Sequence, residues 1–337
     1  MMVSEKILST RSLLELIDLF ERSIHAVANG DGQRLRGVPG WDLWRCGALS
    51  DSDLAAWTER IGYAGSYPAP LGDDRVPVDI EEDDDPGRYR YRCPETFRTK
   101  YVSADLVAVH AVDAVKLLTY LADLLGVPQA QRSGITAPTI DGVLWRLGKM
   151  RIAHAQVDAW VVRGLSSSTE KVFEHFRAPP LPDQGLIFTT GQDLPAIVMP
   201  PRAYRIVPIA SALVDHAIKP YVDIDLIHRL LLAPAGTKVE KSLPVRFDRY
   251  SNTLVIATKS DKPWPIKGAR QIAVVSHLFE QFENGRHWVP AREILDAVYG
   301  PKKSGRSQRI QNIFSGNLIW EDYIAGDGNG KYGFNLD

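Results

Sequence analysis

The sequence predicts an α+β chain built from several domains, and three observations carry that reading. At 337 residues the chain is longer than one ordinary domain. Its hydrophobic spacing is helical near the start, turns to short strand-like runs between Thr139 and Ala212, and mixes strand and helix again after Val245. In the middle stretch the strands lack regular crossover helices, which argues for α+β with hairpins rather than a doubly wound sheet. The expected divisions are a helical domain with a hairpin over 1–130, a β-rich α+β domain over 131–240, and a third domain over 241–337.

Taken in order, Ser9 or Thr10 caps a helix that carries Leu13, Leu16, Ile17, Phe20, Ile24 and Val27 on one face and ends at Asn29-Gly30. A second, short helix starts at the Ser50-Asp51 cap and turns Leu54 and Trp57 inward. Residues 65–87 are rich in Gly, Pro and Asp, so a long exposed loop is expected there. Arg88 to Val102 alternates basic and aromatic residues around a Cys93-Pro94 turn, as a hairpin does. Ala104 to Leu125 reads as one apolar-periodic helix stopped by Gly126 and Pro128. In the middle domain, strands are expected at 142–147, 156–164, 185–190, 196–199 and 204–209, with one helix at Ser168–Phe176. Residues 215–232 are partly helical in pattern, and Pro234 to Lys241 forms a joint.

Composition narrows the function classes. With 45% hydrophobic and 24% charged residues, neither disorder nor a fibrous repeat is expected. Cys46 and Cys93 form no CxxC pair and cannot supply a zinc quartet, so no metal is expected and a reducing, cytoplasmic compartment fits. Glu15 and Asp18 interrupt the segment where a signal peptide would run apolar, and no membrane partner is expected. A net charge of -1 conceals an uneven distribution. Asp79, Glu81, Glu82, Asp83, Asp84 and Asp85 concentrate acid early, whereas Lys302, Lys303, Arg306 and Arg309 concentrate base late.

Catalytic signatures fail one by one. Asp141 and Asp158 have a useful separation for a metal nuclease, but Asp158 is followed by Ala159-Trp160 where that site needs a lysine two positions on. Glu174-His175 and the set Asp215, His216, Asp223, Asp225 and His228 lack a metal-ligand spacing. Phosphate-binding glycine loops and the GxSxG serine turn are absent from the sequence. No catalytic residue and no cofactor are therefore expected, and an enzyme is not expected, with an unfamiliar site in the α+β middle domain kept as a third alternative. The run Arg88-Tyr89-Arg90-Tyr91-Arg92 could stack on single-stranded bases. Strict alternation fits a half-buried strand better, with tyrosines inward and arginines in water or paired with the neighbouring acids.

The last quarter is the most informative. Asn252 to Thr258 reads as a strand, and Ala269 to Phe282 as a helix with Ile272, Val275, Leu278, Phe279 and Phe282 on one face. Pro290 opens a second helix, Ala291 to Tyr299, that Gly300 ends. A third helix, Ser304 to Phe314, buries Ile310, Ile313 and Phe314. Strands at Leu318–Trp320 and Lys331–Leu336 flank a tip with glycines at 326, 328 and 330.

This order, with VPAREILDAVYG and the closing GNGKYGFNL, resembles the winged-helix effector domain of OmpR/PhoB-type response regulators. The resemblance covers the last quarter only. It implies a carboxy-terminal winged helix whose third helix turns Arg306, Ser307, Arg309, Gln311 and Asn312 toward the DNA major groove, with Lys302 and Lys303 near phosphate and Lys331 and Tyr332 in the wing. Pro301 and Gly305 before the third helix depart from the family pattern. The start of the chain also lacks the acidic strand ends of a receiver domain, so phosphorelay control is not implied. The expected function is a DNA-binding transcriptional regulator, partnered by double-stranded DNA and acting as a homodimer, whose first ~240 residues sense a ligand or partner. The alternative is an adaptor subunit of a bacterial complex, such as a defence complex, in which the winged helix contacts protein.

Overall fold

The computed structural model describes residues 8–152, 155–195, 198–214, 217–234, 239, 241, 243–259, 261–300 and 308–337, with Trp44 by its backbone alone. The chain is α+β with several separate sheets, and it divides into two compact units. The first comprises Met1–Leu213 with Ile224–Val239, and the second Val214–Asp223 with Glu240–Asp337.

The first unit opens with the helix Thr10–Arg22, capped by the Ser9 side chain. Its apolar face buries Leu13, Leu16, Ile17, Leu19 and Phe20, which fixes the helix by removing that face from water. Glu21, near its end, accepts the Gly164 N–H at 2.8 Å and the Thr190 hydroxyl at 2.5 Å. A short hairpin follows, Ala26–Ala28 against Arg34–Arg36. The helix Asp51–Trp57 carries a capping box of Ser50 and Asp53.

The first helix ends at Arg22 and not at Asn29-Gly30, because Ala26–Ala28 pairs as a strand, and three further expectations for this unit change. Residues 65–87 do not form a loop throughout: Ser66–Leu71 pairs with Asp74–Asp79 across a turn at Gly72, whose φ is 61°. Its prolines stand opposite each other at Pro68 and Pro77, tolerable in a two-stranded ribbon where an edge needs no inward N–H donor. Ala104 to Leu125 is not one helix. A short turn, Ala104–Val107, leads into the strand Ala108–Val112, and Asp113 then caps the helix Ala114–Leu124 by accepting from the Lys116 N–H at 3.0 Å. The strand lies between Val38–Pro39 and Thr58–Tyr63, so its β-branched residues are covered by sheet neighbours as well as by the core.

The third change concerns the sheet of the middle stretch. Leu144–Ile152 and Ala155–Val162 are antiparallel, but Gln184–Thr189 and Ala203–Pro208 add parallel to them. The helix Leu165–Arg177 makes the first crossover. The parallel strands carry near-continuous apolar runs, as strands covered on both faces do: Leu186, Ile187 and Phe188 are all but fully buried. Against them pack Trp160, Phe173, Phe176 and Tyr204. The Trp160 indole nitrogen and the Tyr204 hydroxyl are buried there without a hydrogen-bond partner among the described residues.

The second unit places the strands Val245–Asp248, Thr253–Ile256 and Trp264–Pro265 in one antiparallel sheet. The helix Ala269–Glu283 then buries Val274, Val275, Leu278, Phe279 and Phe282. Next come the strand Val289–Pro290, the helix Ala291–Tyr299, the helical turns Ile310–Ile313 and Trp320–Tyr323, and the strands Ile324–Gly326 and Lys331–Phe334. The last strand lies between the other two, all antiparallel. Leu318 to Trp320 was expected as strand. Trp320 instead starts a helical turn, because its ring is needed in the core, and the strand begins at Ile324. No helix among the described residues is long and apolar enough to cross a membrane.

Candidate nucleic-acid interface

Of the third helix expected over Ser304–Phe314, the described residues are helical only at Ile310–Ile313, with Arg309 extended before it, and this turn is held from beneath. Ile310 and Phe314 are each 1% exposed, and Phe314 stacks on Trp320 with ring centroids 5.0 Å apart and planes at 9°, while Trp264 stands 5.9 Å away. Gln271, on the long helix, donates to the Ile313 carbonyl at 3.1 Å and accepts from the Asn317 amide at 3.4 Å. Gln271 was not singled out from the sequence, where a glutamine on a helix face gives no signal.

With the apolar side anchored, the polar side faces water. Arg309, Gln311 and Asn312 are exposed. Gln311 donates to the Tyr332 hydroxyl at 2.7 Å, so the turn and the last strand present one continuous polar surface. Lys331, beside Tyr332, is exposed as well. Of the residues expected to face DNA, Arg309, Gln311, Asn312, Lys331 and Tyr332 therefore gather in one region. Lys302, Lys303, Arg306 and Ser307 lie outside the described residues.

The hairpin between Ile324–Gly326 and Lys331–Phe334 is set by its own backbone. Asp327 accepts the N–H groups of Asn329 and Lys331 at 2.8 and 2.9 Å, and these bonds hold its carboxyl below the usual carboxylate range. Gly328 and Gly330 have φ of 76° and 84°, where a side chain would be strained. The Gly330 carbonyl receives the Ala291 N–H at 2.9 Å, tying the hairpin base to the start of the second helix. That helix is braced further by Glu293, which receives two Arg286 nitrogens, each at 2.8 Å. Carboxylates also border the surface: Glu321 and Asp322 are exposed on the adjoining turn. Leu318 and Ile319 are exposed too, at 95% and 45%.

Two of the other sequence candidates resolve into internal pairs, while Asp215 and His216 lie outside the described residues. Arg88 meets Asp83 and Asp85 at 2.6 and 2.7 Å, and Arg90 meets Glu81 at 3.1 Å, while Tyr91 is buried. Strand alternation with acid pairing thus accounts for the basic-aromatic run. Asp158 is bound by Arg146, and Asp141 by Arg36 at 2.9 Å, so each carboxylate faces an arginine. Among the described residues, no three His, Cys, Asp or Glu side chains gather as a metal site. Comparison with protein-family models, with curated proteins and with solved structures finds no match.

Proposed function

We propose that the second unit is a winged helix-turn-helix that docks on duplex DNA, and that the protein is a transcriptional regulator acting through it. The order helix, strand, helix, two helical turns, strand, glycine hairpin, strand, with the last strand in the centre of its sheet, supports this reading. The observation that carries it is the Gln311–Tyr332 bond, which aligns an exposed Arg-x-Gln-Asn turn with a hairpin strand carrying Lys331. Guanidinium and amide groups are the chemistry that reads guanine and adenine edges, and a lysine on the adjoining strand suits phosphate. Two free cysteines fit action in the reducing cytoplasm. Action as a homodimer follows from the paired half-sites such modules use.

The test is anisotropy titration of a duplex pool over a range of salt, comparing the native chain with Arg306→Ala/Arg309→Ala and with Lys331→Ala. Each lost phosphate contact lowers the slope of log affinity against log salt by about 0.9. Equal affinity and equal slope in all three proteins would refute the proposal. A second reading, an adaptor that binds protein, draws on the exposure of Leu318 and Ile319 beside the same turn. A tagged chain that retains a stoichiometric protein partner but no DNA would favour it.

A further inference from the structure

An open cleft of about 790 Å³ lies in the first unit, between the hairpin Ala26–Ala28/Arg34–Arg36 and the sheet that contains Thr58–Tyr63 and Ala108–Val112. One wall is apolar, formed by Ile24, Leu35, Ile61 and Ala111. The rest is cationic or imidazole: His25, Arg34 and Arg36, all exposed. No carboxylate is among the described side chains that line it. Its volume falls in the range of small-ligand sites, while the cleft is more open and its lining more polar than theirs.

The cationic side is reinforced from behind. A Cβ built on Gly142 would stand 2.5 Å from an Arg36 Nη and 3.0 Å from an Arg163 Nη, so the two guanidinium groups converge on one point. Arg163 is nearly buried, donates to the Gly142 carbonyl at 2.9 Å and to the Ser23 hydroxyl at 2.9 Å, and packs its charge over the Phe20 ring at 4.6 Å. Burial, and then the neighbouring Arg36, push its pKa down to about 10. Among the described residues Arg36 pairs with Asp141, whose side chain is 85% exposed. An ion pair so open to water is weak, and an incoming oxyanion can replace it at little cost.

We infer that this cleft binds a phosphate ester with an apolar or aromatic body, of mononucleotide size, its phosphate on Arg34 and Arg36 and its body against Ile24 and Ile61. The hairpin explains the placement: Arg34 and Arg36 alternate to one face of their strand, while Leu35 turns to the other and covers Gly62. The site involves no residue of the second unit and stands whether or not that unit binds DNA.

Isothermal titration of the full chain with ADP, adenosine and inorganic pyrophosphate tests it. ADP is expected to bind, with adenosine and pyrophosphate each weaker by about tenfold or more, since each supplies one half of the match. Arg34→Glu should weaken ADP by about tenfold or more and Arg34→Lys by no more than about threefold, both with unchanged melting curves. A Lys302→Ala/Lys303→Ala/Arg306→Ala chain should bind ADP as the native protein does. The inference is overturned by ADP that gives no saturable heat at about 1 mM, by pyrophosphate binding as tightly as ADP, by an Arg34→Glu chain that binds normally, or by loss confined to the triple variant.

Discussion

Phe314→Ala should remove the base on which the exposed Arg309–Asn312 turn rests. The ring is 1% exposed and touches Trp320 in a stacked pair and Trp264 in a tilted one, so truncation opens a cavity between two large aromatics that cannot easily collapse. Core Phe→Ala changes cost about 3–5 kcal/mol, a range that already contains the loss of aromatic pairs worth about 0.5–1.5 kcal/mol each. With two such pairs broken, about 4 kcal/mol is expected. Phe314→Leu keeps most of the volume and should cost less than about 1.5 kcal/mol. Urea unfolding followed by tryptophan fluorescence reads both, because Trp264 and Trp320 report directly on the altered contact. A cost below about 1 kcal/mol for alanine, or equal costs for alanine and leucine, would refute this account of how the turn is held. If the unit docks on DNA as proposed, duplex affinity should fall further in the alanine chain than in the leucine chain.

The remaining expectations concern groups away from that stack. Tyr204→Phe removes a buried hydroxyl that lacks a partner, and should raise stability by about 1 kcal/mol in thermal denaturation; a loss of that size would reveal a hidden partner for the hydroxyl. Gly333→Ala would place a Cβ 2.2 Å from the His287 carbonyl oxygen, and a cost of about 1–3 kcal/mol is expected from the forced separation of strands. Arg286 holds Glu293 below its ordinary value of 4.5 by donating two hydrogen bonds. A depressed folded pKa gives stability that is complete above the unfolded value and is lost as pH falls through the folded one. The difference in urea midpoint between the native chain and Glu293→Gln should therefore be constant near neutrality and close as the solution is acidified below 4.5.

What the sequence made legible follows the reach of the interactions. The helix Ala291–Tyr299 was readable to the residue, because Pro290 and Gly300 mark its ends through local backbone rules. The hairpin glycines were readable for the same reason. The strand Ala108–Val112 was hidden inside an apolar run whose spacing also suits a helix, and only its position between two partners in a sheet decides the matter. The parallel additions after Val162 were equally invisible, since which strands pair is settled by packing over long separations. At the candidate interface, the exposed polar residues could be named from their types, whereas Gln271 and the Phe314–Trp320 stack that position them depend on contacts across 42 and 6 residues. The cleft by Arg34 and Arg36 left no motif, because its lining comes from four separate segments.

The carboxylate of Glu21 bears on how the chain must come into being. Its two partners lie 143 and 169 positions downstream, so although Ser12, Glu15 and Arg22 of the same helix bond to residues between Asp42 and Ala48, the bonds of Glu21 can form only much later in synthesis. Contacts of such separation are slow to form and late to reward the chain. Until the strand Ala108–Val112 and Trp145 have emerged, the greasy side of that first helix stays uncovered, and a fragment ending earlier is a natural client for chaperones and a poor candidate for independent expression.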